Sequence, residues 1–212
     1  MATSKTKKHT TSYEISASND NYTEDVLRER YFNIKSSYIC VSKMNEEGLP
    51  IRNQNPPEDV TENIVKFVMR NYDGDETCVW AKSVGMKGDV YSSKFSLDKQ
   101  PEIKSFTSNG PSSFGPRKKF GVLYFLDMRD WLNDHIVVWR VNLTDESPEF
   151  KQLKMNKMQT FQDQSAGGRR PHIAWKQIYP QIKEFCVQVY DGTFEGIFTK
   201  KITAESTETQ SN

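Results

Sequence analysis

Asp89, Glu102 and Lys104 are the residues whose types and spacing could do chemistry. In an extended chain successive side chains alternate between faces, so over 101–106 Glu102, Lys104 and Phe106 share one face and Ile103 and Ser105 take the other. A core strand would gather its apolar residues on the inward face. Here a carboxylate and an ammonium stand side by side, about 7 Å apart along the strand. Two neighbouring carboxylates repel, and neither stays ionised easily without a cation between them. Asp89, Glu102 and the backbone carbonyl of Ile103 are hard oxygen donors that suit magnesium, which keeps several waters and takes one or two protein carboxylates. Lys104 would stand beside one of those waters and could orient or help deprotonate it for attack on a phosphorus, while the metal neutralises the developing charge. The plain alternative is a solvated pair on an exposed strand, because charged residues make up 27% of the chain and Glu-x-Lys triplets arise by chance.

Several elements must position these groups. Asp89-Val90-Tyr91 reads as a strand ending in a polar turn at Ser92, Ser93 and Lys94, with the chain returning through 101–106 as a hairpin. Gly88 leaves room beside Asp89. A helix is expected over 58–72, where Val60, Ile64, Phe67 and Val68 recur at steps of three and four. An earlier helix opens at Thr23-Glu24-Asp25 and fades towards a β-like stretch at 38–41. Strands are expected at 78–82 and 83–91. The apolar runs 120–127 and 135–143 read as the sheet's centre. Beyond them come a short helix or turn at Ser147-Pro148-Glu149, a helix over 173–179, and a strand through Phe185, Val187 and Val189. A turn at Asp191-Gly192 then leads to a return strand carrying Phe194 and Ile197. The fold class is α/β, a mixed central β-sheet flanked by helices.

The order Asp89, then Glu102-Ile103-Lys104 on the next strand, resembles the catalytic signature of the PD-(D/E)xK nuclease superfamily. The continuation from Ser105 to Pro116 looks like the small type II restriction endonucleases within it. The resemblance covers roughly residues 59–143. It departs from the family pattern at Gly88, where Pro often precedes the Asp, and after Phe106, where a Gly/Pro/Ser loop replaces the usual helix. The resemblance implies a restriction-endonuclease-like core with N- and C-terminal elaborations. It implies Mg2+ held by Asp89, Glu102 and Ile103, Lys104 acting on the water, and Glu62 of the preceding helix assisting; a solvated helix carboxylate is the other reading of Glu62. It further implies sequence-specific cleavage of double-stranded DNA leaving 5′-phosphates, a homodimer, and a companion DNA methyltransferase. A structure-selective repair or recombination nuclease, or a non-cleaving DNA-binding module on a nuclease-like scaffold, would share the core. The latter usually lacks one of the three groups present here.

Candidate DNA contacts lie in two stretches. In the loop after the Glu-x-Lys strand, Ser105, Thr107, Ser108, Asn109, Ser112 and Ser113 carry small donors among glycines that permit close approach, and Arg117 and Lys118 follow to neutralise backbone phosphates. Further on, Gln162 offers a side-chain amide suited to adenine, and Arg169 and Arg170 offer forks suited to guanine. His172 is a polar neighbour there, with no Ser and Asp in a triad arrangement. An ordinary turn-rich connection and a structural arginine pair are the corresponding plain readings.

A chain of 212 residues with 12% aromatics can bury one sizeable core. The organisation expected is a single domain over 21–203, its catalytic core about 58–143 and its recognition region about 144–203, between mobile tails at 1–20 and 204–212. A net charge of +1 gives no general attraction to phosphate, so any nucleic-acid face must be locally basic. Cys40, Cys78 and Cys186 have no zinc spacing and read as buried or partly buried thiols. With no apolar leader or membrane-length run, the protein is expected in the cytoplasm.

Overall fold

The computed structural model describes residue 20 and residues 22–49, 55–80 and 86–199. Its centre is a mixed four-stranded sheet in the order β1-β3-β4-β6, formed by β1 (Glu102–Phe106), β3 (Leu123–Asp127), β4 (Ile136–Val141) and β6 (Cys186–Gly192). β1 and β3 are parallel, Glu102 opposite Leu123, while β3·β4 and β4·β6 are antiparallel. β1 is therefore an edge strand. A separate antiparallel ribbon joins β2 (Pro111–Ser113) to β5 (His172–Ala174).

Alternation along the strands divides the core in two. Ile103, Tyr124, Leu126, Ile136 and Val138 pack under α1 (Glu24–Glu46) and α2 (Glu58–Tyr72). Phe106, Leu123, Phe125 and Val141 meet the second cluster, built by Phe114, Phe150, Phe161, Trp175 and Ile178. Those residues come from the ribbon and from the short helices α3 (Pro148–Lys151), α4 (Phe161–Ala166) and α5 (Trp175–Ile182). Helices thus flank both faces of the mixed sheet, as expected for the α/β class.

The helix starts follow local chemistry. Thr23 caps α1, its Oγ1 accepting from Val26 N at 3.4 Å, and Glu24 and Asp25 complement the positive end. Pro57 precedes α2, whose residues 60–69 are almost all buried, and Gly74 (φ +67°) turns the chain away beyond its end. Thr160 and Asp163 form a reciprocal capping box on α4. Such caps are worth about 1 kcal/mol each.

Five expectations are corrected. The helix expected over 173–179 begins only at Trp175, after β5, and runs through Pro180 to Ile182, and Cys40 is exposed rather than buried or partly buried. Residues 38–41 are not β-like: α1 continues to Glu46, because Leu27, Tyr31 and Tyr38 keep one helical stripe buried. Asp89 is not in a regular hairpin strand. Its segment lies in bends, joined to the β1 side by Lys87 and Gln100 and by Asp89 N–H donating to Pro101 O at 2.9 Å, while Tyr91 bridges only Val79. The return strand beyond Asp191-Gly192 is instead a 3-10 turn, Glu195–Phe198, whose Ile197 is buried in the helical-side core. The loop expected in place of a helix after Phe106 holds, its middle captured as β2. The tails at 1–19 and 204–212, and residues 81–85 of the strands expected at 78–82 and 83–91, lie outside the described residues. Among the described residues, no helix is long and apolar enough to cross a membrane.

Candidate active site

The site forms on the free edge of β1. In a parallel ladder alternate residues bond to the neighbour strand. Glu102 N–H takes Val122 O at 3.0 Å and Phe106 O accepts Met128 N–H at 2.9 Å, so Ile103 directs its amide and carbonyl away from β3. Ile103 N–H donates to Asp89 Oδ2 at 2.7 Å. One edge therefore presents the Asp89 carboxylate and the Ile103 carbonyl together. Gly88 makes this approach possible. Its φ is +138°, and a Cβ there would lie 2.5 Å from Gln100 Cβ and 2.9 Å from Pro101 O.

Glu102 converges on the same point. Its Oε1 accepts from Lys104 Nζ at 2.6 Å, and its Oε2 lies 2.5 Å from Lys118 Nζ, which also donates to Asp89 Oδ1 at 3.1 Å. Asp89 and Glu102 thus face a common cation position that an ammonium occupies. Glu102 is 1% exposed, and Oε2 has no hydrogen-bond donor aligned on it among the described residues, so Lys118 is what balances it. Burial pushes the Glu102 carboxyl above the usual carboxylate range and the Asp89 charge adds to this, while Lys104 and Lys118 oppose both. Burial works against the Lys118 charge, yet Asp89 and Glu102 outweigh it and its pKa is raised.

Asp89, Ile103, Lys104 and Lys118 open into a cleft of about 450 Å³, while Glu102 itself is buried. Glu62 of α2 lines it with Asp89, Ile103, Lys104 and Lys118, so the structure brings the sequence-selected helix glutamate to the same cavity. Glu62 is buried, and the indole Nε1 of Trp80 donates to its Oε2 at 2.6 Å. It is therefore not a solvated helix carboxylate. Among the described residues no group of three or more His, Cys, Asp or Glu side chains is gathered to hold a metal ion, so a hard cation here would have the Asp89 and Glu102 carboxylates and the Ile103 carbonyl, with water for the rest.

The candidate DNA contacts also converge in large part. Ser105, Ser112 and Ser113 line the cleft. The ribbon sets Ser113 opposite His172 and Ser112 opposite Ile173, and Phe114 N–H reaches Pro171 O at 2.9 Å. Arg169 and Arg170 are exposed in the irregular segment before β5, His172 is exposed at its start, Gln162 is exposed on α4, and Arg117 is exposed beyond β2. Thr107, Ser108 and Asn109 form the turn between β1 and β2, where Arg129 holds the Asn109 carbonyl at 3.1 Å. Lys118 is placed differently from the sequence expectation, its ammonium on the two carboxylates rather than presented outward.

Reading the sequence missed Lys118 as a central group, and it missed Trp80, Asn55 and Glu58 beside the cleft. Lys118 sits in a run of three cations that reads equally as a phosphate contact. Trp80 carries no positional signal without the fold.

Glu102 and Lys104 on the edge strand, Asp89 from the bends beside it and Lys118 from the loop before β3 bring two carboxylates and two lysines together in a mixed α/β fold with a charged cleft. Over residues 20–181 the chain matches the Bsp6I restriction endonuclease family and belongs to it. It is 26% identical over 151 residues to the type II restriction enzyme Bsp6I of Bacillus sp. (strain RFL6), spanning 71% of this chain and 76% of that enzyme. No solved structure matches the chain. The protein is accordingly a restriction endonuclease.

Proposed function

We propose that the chain is a type II restriction endonuclease of PD-(D/E)xK type, hydrolysing phosphodiester bonds of double-stranded DNA at a specific sequence, with Mg2+, to leave 5′-phosphates. The observation that carries this reading is the convergence of Asp89 and Glu102 on one cation position, with Lys104 Nζ 2.6 Å from Glu102 and Glu62 on the same cleft. The Lys118 ammonium standing 3.1 Å from Asp89 Oδ1 and 2.5 Å from Glu102 Oε2 supports a site that needs positive charge there. Asp89, Glu102 and the Ile103 carbonyl would hold the metal, with Glu62 beside them. A bound Mg2+ would supply Lewis-acid polarisation of the phosphate and lower the cost of ionising water. Lys104 orients the attacking water and shares its proton, and the cleft fixes the phosphate in line with it.

The ribbon serves recognition in this proposal. Arg169, Arg170 and Gln162 read base edges, while Ser112, Ser113, Arg117 and His172 hold backbone and register. A homodimer would place two such clefts on two strands, and a companion methyltransferase would protect the host's own copies of the site. The test is incubation of plasmid DNA with and without Mg2+, alongside Glu102→Ala, followed by sequencing of the ends. Discrete fragments with one recurrent end sequence are expected only with the intact protein and the ion. Cutting confined to branched substrates would replace the sequence-specific reading, and binding without cutting would remove the nuclease reading.

A further inference from the structure

We propose that Lys118 is an internal counter-cation, a positioning residue whose ammonium holds the two carboxylates of the metal-free site and must be displaced before a divalent ion enters. The inference rests on the magnesium-dependent reading above. Lys118 Nζ lies 3.1 Å from Asp89 Oδ1 and 2.5 Å from Glu102 Oε2, the oxygens that face one another across the cation position. A divalent ion there cannot share those oxygens with an ammonium in contact, since like charges at that distance repel strongly in a partly buried site. Lys104 is not an equivalent competitor, because it takes the other oxygen, Glu102 Oε1.

Lys118 also has somewhere to go. Its side chain is 29% exposed, it lines the cleft, and it enters from the connection between β2 and β3 on a flexible four-carbon stem. Arg117 and Lys119 on either side are exposed. Swung outward, the ammonium joins them at the place where a DNA phosphate would lie. A phosphate entering the cleft takes the ammonium and frees the carboxylates, and an ion binding the carboxylates frees the ammonium for the phosphate. The two ligands then assist each other by the same factor in either order. The free protein binds the ion weakly, and the duplex licenses it.

The test measures Mn2+ binding by calorimetry, without DNA, for the intact protein, Lys118→Met, Lys118→Gln and Lys119→Met. Both Lys118 variants are expected to bind at least about tenfold more tightly, within the usual range of such couplings, and Lys119→Met to match the intact protein. Equal or weaker binding by the Lys118 variants overturns the role of Lys118 alone. No binding by the intact protein at any accessible concentration, together with none by the variants, overturns the metal reading itself. Loss of Lys118 leaves Asp89 and Glu102 facing each other, so melting is followed as well. Saturating Mn2+ should raise the melting temperature of the Lys118 variants more than that of the intact protein. An equal or smaller rise, or a variant that the ion does not help to fold, counts against the proposal.

Discussion

Two lysines in this molecule sit on carboxylates, and they are opposites. Lys66 of α2 is fully buried, donating to Asp20 Oδ2 at 2.8 Å and to Tyr22 O at 2.7 Å with its ammonium 4.5 Å from the Phe67 ring. One ammonium meets one carboxylate, and burial dominates, so the Lys66 pKa is lowered although Asp20 opposes this. Lys118 is less buried and meets two carboxylates, and there the negative charge wins over burial and the pKa is raised. The difference in sign separates a strut from a site. At Lys66 the charges close and the pair ties the segment before α1 to α2. At Lys118 two carboxylates are held by two ammonium groups, Lys104 on Glu102 Oε1 and Lys118 on Glu102 Oε2 and Asp89 Oδ1, beside a cleft, so the charges balance only while both lysines stay.

The sharpest way to break this comparison is to remove the carboxylate that both lysines share. Glu102→Ala is expected to lower Mg2+-supported plasmid cleavage by about 10³-fold or more, the scale of losing a principal electrostatic group, with circular dichroism unchanged. Cleavage within tenfold of the intact protein would make the Lys118 region a second strut. The complementary change is Lys66→Met. It leaves Asp20 buried without its cation, and an uncompensated buried charge costs about 3–5 kcal/mol. Chemical denaturation should register that loss, whereas cleavage per folded molecule should hold. If Lys66→Met instead abolishes cleavage at full stability, the division between strut and site fails.

The ribbon tests whether charge outside the carboxylate centre serves recognition. Arg170→Ala should weaken duplex binding by about 1–3 kcal/mol and relax sequence preference if its fork reads a base. A uniform loss across all sequences, with a shallower salt dependence, would make it a phosphate contact. Either result leaves stability unaltered, since Arg170 is exposed.

These expectations depend on features that the sequence carried unequally. The stripe of Val60, Ile64, Phe67 and Val68 announced α2, and the apolar runs announced β3 and β4, because buried periodicity is a local property. Alternation alone put Glu102, Lys104 and Phe106 on one face, and Phe106 indeed lies in the cluster opposite that of Ile103. The aromatic and β-branched residues at 38–41 mimicked a strand, and only packing against Trp131 shows why Tyr38 is helical. Two placements were illegible for a different reason. The pairing of β2 with β5 joins residues about sixty positions apart, and the seat of Lys118 depends on the loop that delivers it. No local pattern encodes either.

The smallest effect concerns the strut region at high pH. Tyr22 sits beside it, its hydroxyl donating to Asp59 Oδ2 at 2.7 Å. Burial first and then Asp59 push its pKa from the ordinary 10.0 up to about 12, and burial likewise lifts Tyr190 to about 12. A group whose folded pKa exceeds its unfolded one holds its proton more tightly in the native state. Its contribution is complete below pH 10.0 and is lost as pH rises through about 12. Stability should therefore decline over that interval, with the Tyr22 and Tyr190 ring signals, followed by NMR, titrating together with unfolding rather than before it. Both tyrosines belong to the core cluster under α1 and α2, so hydrogen exchange should show protection falling there ahead of the ribbon side. Tyr22 ionising near pH 10 in a fully protected protein would mean that this end of the molecule is as open to solvent as the cleft, and the contrast between the two lysines would lose its basis in burial.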